Sequence, residues 1–308
     1  MKRAIVLGVL LAAGGLSLAA AGLQAPAGGQ GRGERGRGPQ GPNVAEIEKV
    51  NDRLYMLTGG GGNTAVFITD NGVVLVDTKL AGWGQAIMDK VKSVTNKPIT
   101  TIINTHTHGD HNGSNEFFGT SVEFVAHENT RANMEKMDAF KGDKSVFIPK
   151  KTFKDKLSLG KGNDQIDLYY FGPAHTNGDA WVVFRALRVM HSGDAFAGKT
   201  TPIIDANNGG SAVDYGKTLA KAAASINNVD TIITGHSPRM TPADLKEYAD
   251  FNNGFVAWIK EEIKAGKSVD AAAAEYKIPA QYKGYAVSTF LGGIKNNIQV
   301  AYNELGQK

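Results

Sequence analysis

Residues 105–113 read THTHGDHNG and place His106, His108, Asp110 and His111 at the end of an apolar strand, ITTIIN (99–104). Alternate residues of an extended segment project to the same side, so His106 and His108 converge on one point at the ~2.0–2.1 Å reach of an imidazole to a zinc ion. Gly109 lets the backbone turn, and Asp110 and His111 then address a second point. Four such side chains packed this tightly have no ordinary surface explanation, so the loop reads as a metal site.

One loop does not complete a metal site, and the rest of the chain offers further candidates at strand ends. They are His175 in GPAHTNGD, Asp194 in HSGD and His236 in TGHS. Each follows an apolar strand and lies beside or near glycine, on loops where ligands distant in sequence can meet.

The order H-x-H-x-D-H, a later His, then G-D, then G-H resembles the metallo-β-lactamase-fold hydrolase superfamily from about Leu54 to His236. The resemblance implies an α+β fold, a four-layer αβ/βα sandwich, over residues 44–308. It implies two Zn2+ per chain, with Mn or Fe as other occupants. The first zinc would take His106, His108 and His175, and the second Asp110, His111 and His236, with Asp194 bridging both. Asp77, in VVLVDT, matches the family's buried loop-bracing aspartate; a turn residue closing its strand is the alternative.

In such a site two zincs ~3.5–4 Å apart share a water whose pKa falls toward ~7, and the hydroxide attacks a carbonyl. Asp110 is the candidate catalytic residue that orients the nucleophile and receives its proton. The chain has no cysteine, which excludes disulfides, thiolate ligands and cysteine nucleophiles. The strings AHTNGDAWVVF, HSGDAF and IIDANNGGS resemble exported cyclase-like hydrolases most. Asp194 stands where the best-known antibiotic-hydrolysing members with a histidine-rich first site have cysteine or no acid. The expected substrate is a small ester, lactone, lactam or thioester, with Lys199 and Asn208 as candidate substrate contacts. Class B β-lactamase-type antibiotic hydrolysis and acyl-homoserine lactone hydrolysis are the alternatives. From other classes, an iron-dependent redox enzyme and a non-catalytic zinc-binding protein stay open.

GDAFAGKT (193–200) also spells the phosphate-loop pattern G-x-x-x-x-G-K-[ST]. A phosphate loop needs a helix directly after it, and TPIIDANNGG denies one, so no nucleotide is expected. The glycine-rich TGGGGNTAVF (58–67) precedes a strand and reads as a hairpin turn; the resemblance makes it a flap at the mouth of the site. His127 reads as a helix cap or packing residue, and His191 as a core residue or a support for a ligand.

Residues 1–21 begin with Lys2 and Arg3, continue apolar and end in alanines, which reads as a secretory signal peptide; an uncleaved anchor is the alternative. Residues 22–43 are Gly-, Pro- and Arg-rich and read as a disordered linker. The expected protein is therefore exported, periplasmic or secreted, with no membrane span in the mature chain. Its pI of about 9.0 comes from this leader and linker, which leaves residues 44–308 near neutral and argues against a nucleic-acid partner. Short strands are expected at 44–50, 53–58, 64–69 and 73–77 as an antiparallel meander. A helix over 83–94 precedes the strand at 99–104, with further strands at 122–126, 151–159, 165–171, 180–186, 188–191 and 230–235. Helices are expected at 127–138, 214–227 and 243–265, with two more near the C-terminus.

Overall fold

The computed structural model describes residues 43–306. The leader and nearly all of the linker expected at 1–43 lie outside that range. Two sheets carry the fold. In the first, β1 (Glu46–Lys49), β2 (Leu54–Thr58), β3 (Thr64–Ile68) and β4 (Val73–Val76) run antiparallel as the meander, and β5 (Ile99–Ile103), β6 (Glu123–His127) and β7 (Lys151–Phe153) continue it in parallel. The second sheet has the order β12 (Thr231–Ile233), β11 (Val189–His191), β10 (Trp181–Phe184), β9 (Ile166–Tyr169), β8 (Lys156–Leu159).

Side-chain alternation makes the layers. Val74, Val76, Leu54 and Phe67 meet Val182, Phe184, Leu168 and Ile233 between the sheets. Their strand neighbours Val73, Leu75 and Val66 point the other way, onto Ile87 and Val91 of helix α1 (Gly84–Val94). On the far side, Trp181, Val183 and Met190 pack on Tyr215 and Leu219 of α4 (Ala212–Ser225) and on Tyr248, Phe255 and Ile259 of α5 (Pro242–Lys264). The result is the expected helix, sheet, sheet, helix order. Both faces of each sheet are covered, which is why the central strands read as continuous apolar runs. Among the described residues no helix is long and apolar enough to cross a membrane.

The structure corrects two expectations. The single strand expected over 151–159 is two strands in different sheets: β7 closes the first and β8 edges the second. The chain bends at Lys154 and Asp155, whose carbonyls are paired at the crossing, accepting from His127 Nε2 (2.8 Å) and Tyr170 N (3.0 Å). The helix expected over 127–138 ends early, as α3 (Glu128–Met134), and short 3-10 turns follow. His127 caps α3, its ring accepting from Asn129 N.

Between the sheets the Phe67 ring meets Phe184 edge-on at 5.1 Å. Phe67→Ala should cost about 3–5 kcal/mol of folding stability. Denaturant unfolding of the variant checks this, and a loss below about 1 kcal/mol would show that the two sheets do not depend on this layer.

Candidate metal centre

β5 ends at Ile103, and the next residues carry the motif across the rim between the sheets. Thr105 leads into His106 and His108, then the chain turns into the short helix α2 (Gly109–Asn112), which bears Asp110 and His111. His175 lies on the β9–β10 connection, Asp194 on a 3-10 turn just after β11, and His236 on the loop after β12. All these loops open on one end of the sandwich, and their side chains form three overlapping groups able to hold an ion. These are His106 with His108 and His175, His106 with His111 and Asp194, and Asp110 with His111 and His236.

Hydrogen-bond partners set the histidine tautomers. His175 Nδ1 donates to the Ile203 carbonyl (2.7 Å) and His108 Nε2 to Asp205 Oδ2 (2.7 Å). His175 Nε2 and His108 Nδ1 are thereby left as bare lone pairs, 2.8 Å apart. Thr105 Oγ1 gives its proton to Asp77 Oδ2 (2.7 Å) and so accepts from His106 Nδ1 (3.0 Å). His106 Nε2 is then a third lone pair, buried and without a hydrogen-bond partner among the described residues. Three converging acceptors repel one another unless a cation lies among them. Burial, and then the neighbouring His108, push His175 down to about 4, so a proton does not fill that role at neutral pH. Burial likewise holds His106 well below the ordinary histidine range. The donor set fits a metal ion.

The second group behaves differently. His111 Nδ1 donates to Asp77 Oδ2 (2.7 Å), which turns Nε2 toward Asp194 Oδ1 (3.2 Å), His236 Nε2 (3.3 Å) and Asp110 Oδ2 (3.6 Å). His236 Nε2 lies 3.2 Å from Asp194 Oδ2 and 3.3 Å from Asp110 Oδ2. Burial opposes charge on His236, but Asp194 and Asp110 outweigh it and raise its pKa to about 9. His111 is buried as well, and Asp194 and Asp77 lift it well above its usual value. In the metal-free protein, protons therefore stand where a second cation would. Asp194 joins the two groups, since its Oδ2 also lies 3.7 Å from His175 Nε2. Burial disfavours its charge, yet His236 and His111 hold its carboxyl well below the ordinary range.

A family model of the metallo-beta-lactamase superfamily matches residues 57–236. This chain belongs to the metallo-beta-lactamase superfamily. It is 28% identical over 161 residues to the 2,4-dinitroanisole O-demethylase subunit alpha of Nocardioides sp., covering 51% of this chain and 48% of that one. To the metallo-beta-lactamase type 2 of Elizabethkingia meningoseptica it is 24% identical over 212 residues, covering 65% and 81%. The solved structure of a sec-alkylsulfatase from Pseudomonas sp. superposes with a TM-score of 0.70 at 15% identity, over 86% of this chain and 51% of that one. The chain thus spans about half the length of the demethylase subunit and of the alkylsulfatase. With membership comes the expected scaffold, a layered αβ/βα sandwich.

Two supports of the centre were not legible as such. Asp205 stands 97 residues from the His108 it orients, in the quoted string IIDANNGGS, where only an Asx turn signals it. Lys79 is fully buried with a left-handed backbone (φ 63°), and its Nζ donates to the carbonyls of Leu57 (3.0 Å) and Gly62 (2.8 Å). Burial lowers it to about 7, against the pull of Asp77 and Asp110. It ties down the glycine-rich turn, which lies directly on the second group. A Cβ at Gly62 would overlap the His111 ring, and Gly62 N donates to the Asp110 carbonyl (3.0 Å). The expected flap is therefore laced to the centre by its backbone.

The remaining candidates fall outside the cluster. Asn208 Nδ2 donates to Asp205 Oδ2 (2.6 Å), the oxygen that also accepts from His108 Nε2. Lys199 is paired with Asp244 (2.8 Å) and Glu247 (3.0 Å) at the start of α5. After GKT no α-helix begins until α4 at Ala212. His191 is buried, its ring accepting from Gly193 N (3.1 Å) and its Nε2 3.1 Å from the Asn63 carbonyl, so it braces the turn that carries Asp194.

Asp205→Ala should weaken binding of one ion per chain about 10–100-fold and leave the other nearly unchanged. Chelator competition measures this, and equal binding of both ions would remove Asp205 from the centre. The pH dependence has a definite sign. His236, raised to about 9, stabilises the metal-free fold fully below its unfolded value of ~6.5, and that contribution is lost as pH rises through 9. Metal must displace the same proton, so affinity should climb between pH 6.5 and 9 while metal-free stability falls. Chelator titrations and thermal melts at pH 6, 7.5 and 9 check both slopes; a flat metal affinity would contradict the assignment.

Proposed function

We propose that the protein is a dinuclear metal-dependent hydrolase acting on a small ester, lactone, lactam or thioester outside the cytoplasm. The observation that carries this is the convergence of five histidine ring nitrogens and two carboxylates on one rim, with the opposite nitrogen of His106, His108, His111 and His175 each tied to an acceptor. We assign His106, His108 and His175 to one ion, Asp110, His111 and His236 to the other, and Asp194 to both. Zinc is the ion of choice for an imidazole and carboxylate set. When bound, the ions supply Lewis-acid activation of a water and of the carbonyl oxygen.

The chain's own residues do the rest. Burial works against ionisation of Asp110, but its contact with His236 outweighs this, so the carboxyl is ionised at neutral pH. It is also partly open to solvent, with a 30% exposed side chain. Asp110 Oδ2 can therefore orient the attacking water, take its proton and pass it to the leaving oxygen, nitrogen or sulfur. Asp77 and Thr105 keep His106 and His111 in the tautomers that expose Nε2 inward. The relatives are named for a dinitroanisole, a beta-lactam and sec-alkyl sulfates, so membership alone does not choose the scissile bond. β-Lactam hydrolysis is the second reading, favoured by the 24% identical relative from Elizabethkingia. The location outside the cytoplasm rests on the signal peptide read at residues 1–21.

A panel of p-nitrophenyl esters, lactones, thioesters and a chromogenic β-lactam, run with and without chelator, tests the reading. Chelation should abolish turnover and added zinc restore it. Asp110→Ala should lower kcat by about 10²–10⁴-fold while the first ion stays bound. Turnover that survives chelation would refute metal dependence, and a metal-replete protein inert on the whole panel would refute the substrate class.

A further inference from the structure

Access to the centre is one-sided. The side chains of His106 and His111 are 0% exposed, His175 1% and Asp194 6%, whereas His108 is 21% and Asp110 and His236 are 30% exposed. A substrate therefore approaches over His108, Asp110 and His236. Beside His236 on this side lies a segment from the C-terminal region, beyond the residues that match the superfamily. The Phe290 ring runs nearly parallel to the His236 ring, 22° between planes and 6.4 Å between centroids. Phe290 is 64% exposed, and Val287 and Leu291 next to it are 46% and 45% exposed.

Three large apolar side chains left in water on five residues are unusual unless something covers them. The segment is not a loose tail. Ala286 N donates to the Lys199 carbonyl (3.1 Å), Thr201 N to the Ala286 carbonyl (2.9 Å), and Ser288 N to Thr201 Oγ1 (3.0 Å). Asn297 of helix α7 (Gly293–Gly306) donates to the Pro202 carbonyl. The strip is thereby fixed to the stretch of chain that leaves Asp194. Leu291 is held in the left-handed region (φ 49°), so its backbone is committed to this shape. Lys199, the cation on that stretch, is taken up by Asp244 and Glu247 and does not offer an anion a partner.

We propose that Val287, Phe290 and Leu291 form an apolar subsite beside His236 that selects substrates with an alkyl or aryl group over a neutral, uncharged small substrate. The proposal rests on the hydrolase reading for its turnover consequence, but not for its binding consequence. Phe290 supplies the face on which the apolar group stacks, and Val287 and Leu291 extend it away from the centre. Each substrate methylene laid on this strip adds binding, and the scissile group is delivered to the open side of the centre.

The test uses the full-length, zinc-loaded protein, its Phe290→Ala variant and a Phe290→Leu variant. Because the ring is exposed, the variants are expected to fold, and a thermal melt checks this. For p-nitrophenyl esters from acetate to octanoate, wild-type kcat/KM should rise by roughly two- to fourfold per methylene over the first few carbons. Phe290→Ala should flatten that slope, its loss in kcat/KM growing from acetate to octanoate, and Phe290→Leu should restore part of it. Calorimetric titration with octanoate against acetate reads the same subsite without turnover: the wild type should prefer octanoate, and Phe290→Ala should lose the preference. A slope or preference unchanged in Phe290→Ala overturns the subsite, as does an equal loss on acetate and octanoate. If no ester is hydrolysed but octanoate preference depends on Phe290, the hydrolase reading fails and the subsite stands.

Discussion

The centre depends on one buried carboxylate. Asp77 sits at the end of β4 with a left-handed backbone (φ 66°), and its N–H donates to the Ile103 carbonyl (2.9 Å). Its Oδ1 accepts from Thr105 N (2.8 Å), and its Oδ2 accepts from Thr105 Oγ1 and His111 Nδ1 (both 2.7 Å). One side chain thus fastens two parallel strand ends, positions the motif loop and fixes a ring nitrogen in each half of the cluster. A non-glycine residue in this backbone region is costly, on the order of 1–3 kcal/mol, and such strain persists where the surroundings impose it. Here the surroundings are the motif itself: Thr78 N donates to the His111 carbonyl (2.7 Å), closing the loop back on Asp77.

Around that anchor the protein separates a closed wall from an open one. Asp77, Asp194, His106, His111 and His175 are buried, and their charges and lone pairs balance only against protons or metal ions. Asp194 is further confined, because a Cβ at Gly235 would overlap its carboxylate. Behind the glycine-rich turn Lys79 donates to two backbone carbonyls and to none of the cluster's carboxylates. His108, Asp110 and His236 are the ones that reach water. The C-terminal strip around Phe290 borders this same side, beside His236.

Much of the fold was legible because both sheets bury both faces, so apolar runs such as VVLV (73–76) and WVVF (181–184) mark strands directly. The motif loop was legible because four candidate ligands fall within one short stretch. What was missed depends on long-range pairing. Asp205 gains its role from His108, 97 residues away, and nothing local distinguishes it from an ordinary turn aspartate. Nothing local marks Lys79, after VVLVDT, as fully buried, because its hydrogen bonds come from the carbonyls of Leu57 in β2 and Gly62 in the β2–β3 connection. The 151–159 segment has an unbroken strand pattern, and only the edges of two different sheets cut it in two. The partners of Lys199 (Asp244 and Glu247) and of Asn208 (Asp205) are likewise set by the fold and not by any local signal.

The central claim is a two-ion centre in which Asp194 links two sets of three ligands. Anomalous diffraction at the zinc edge from crystals of zinc-loaded protein tests it most directly. The account predicts two peaks per chain, one at ligand distance from His106, His108 and His175, the other from Asp110, His111 and His236, with Asp194 touching both. A single peak, or a second one away from Asp110, His111 and His236, would contradict it.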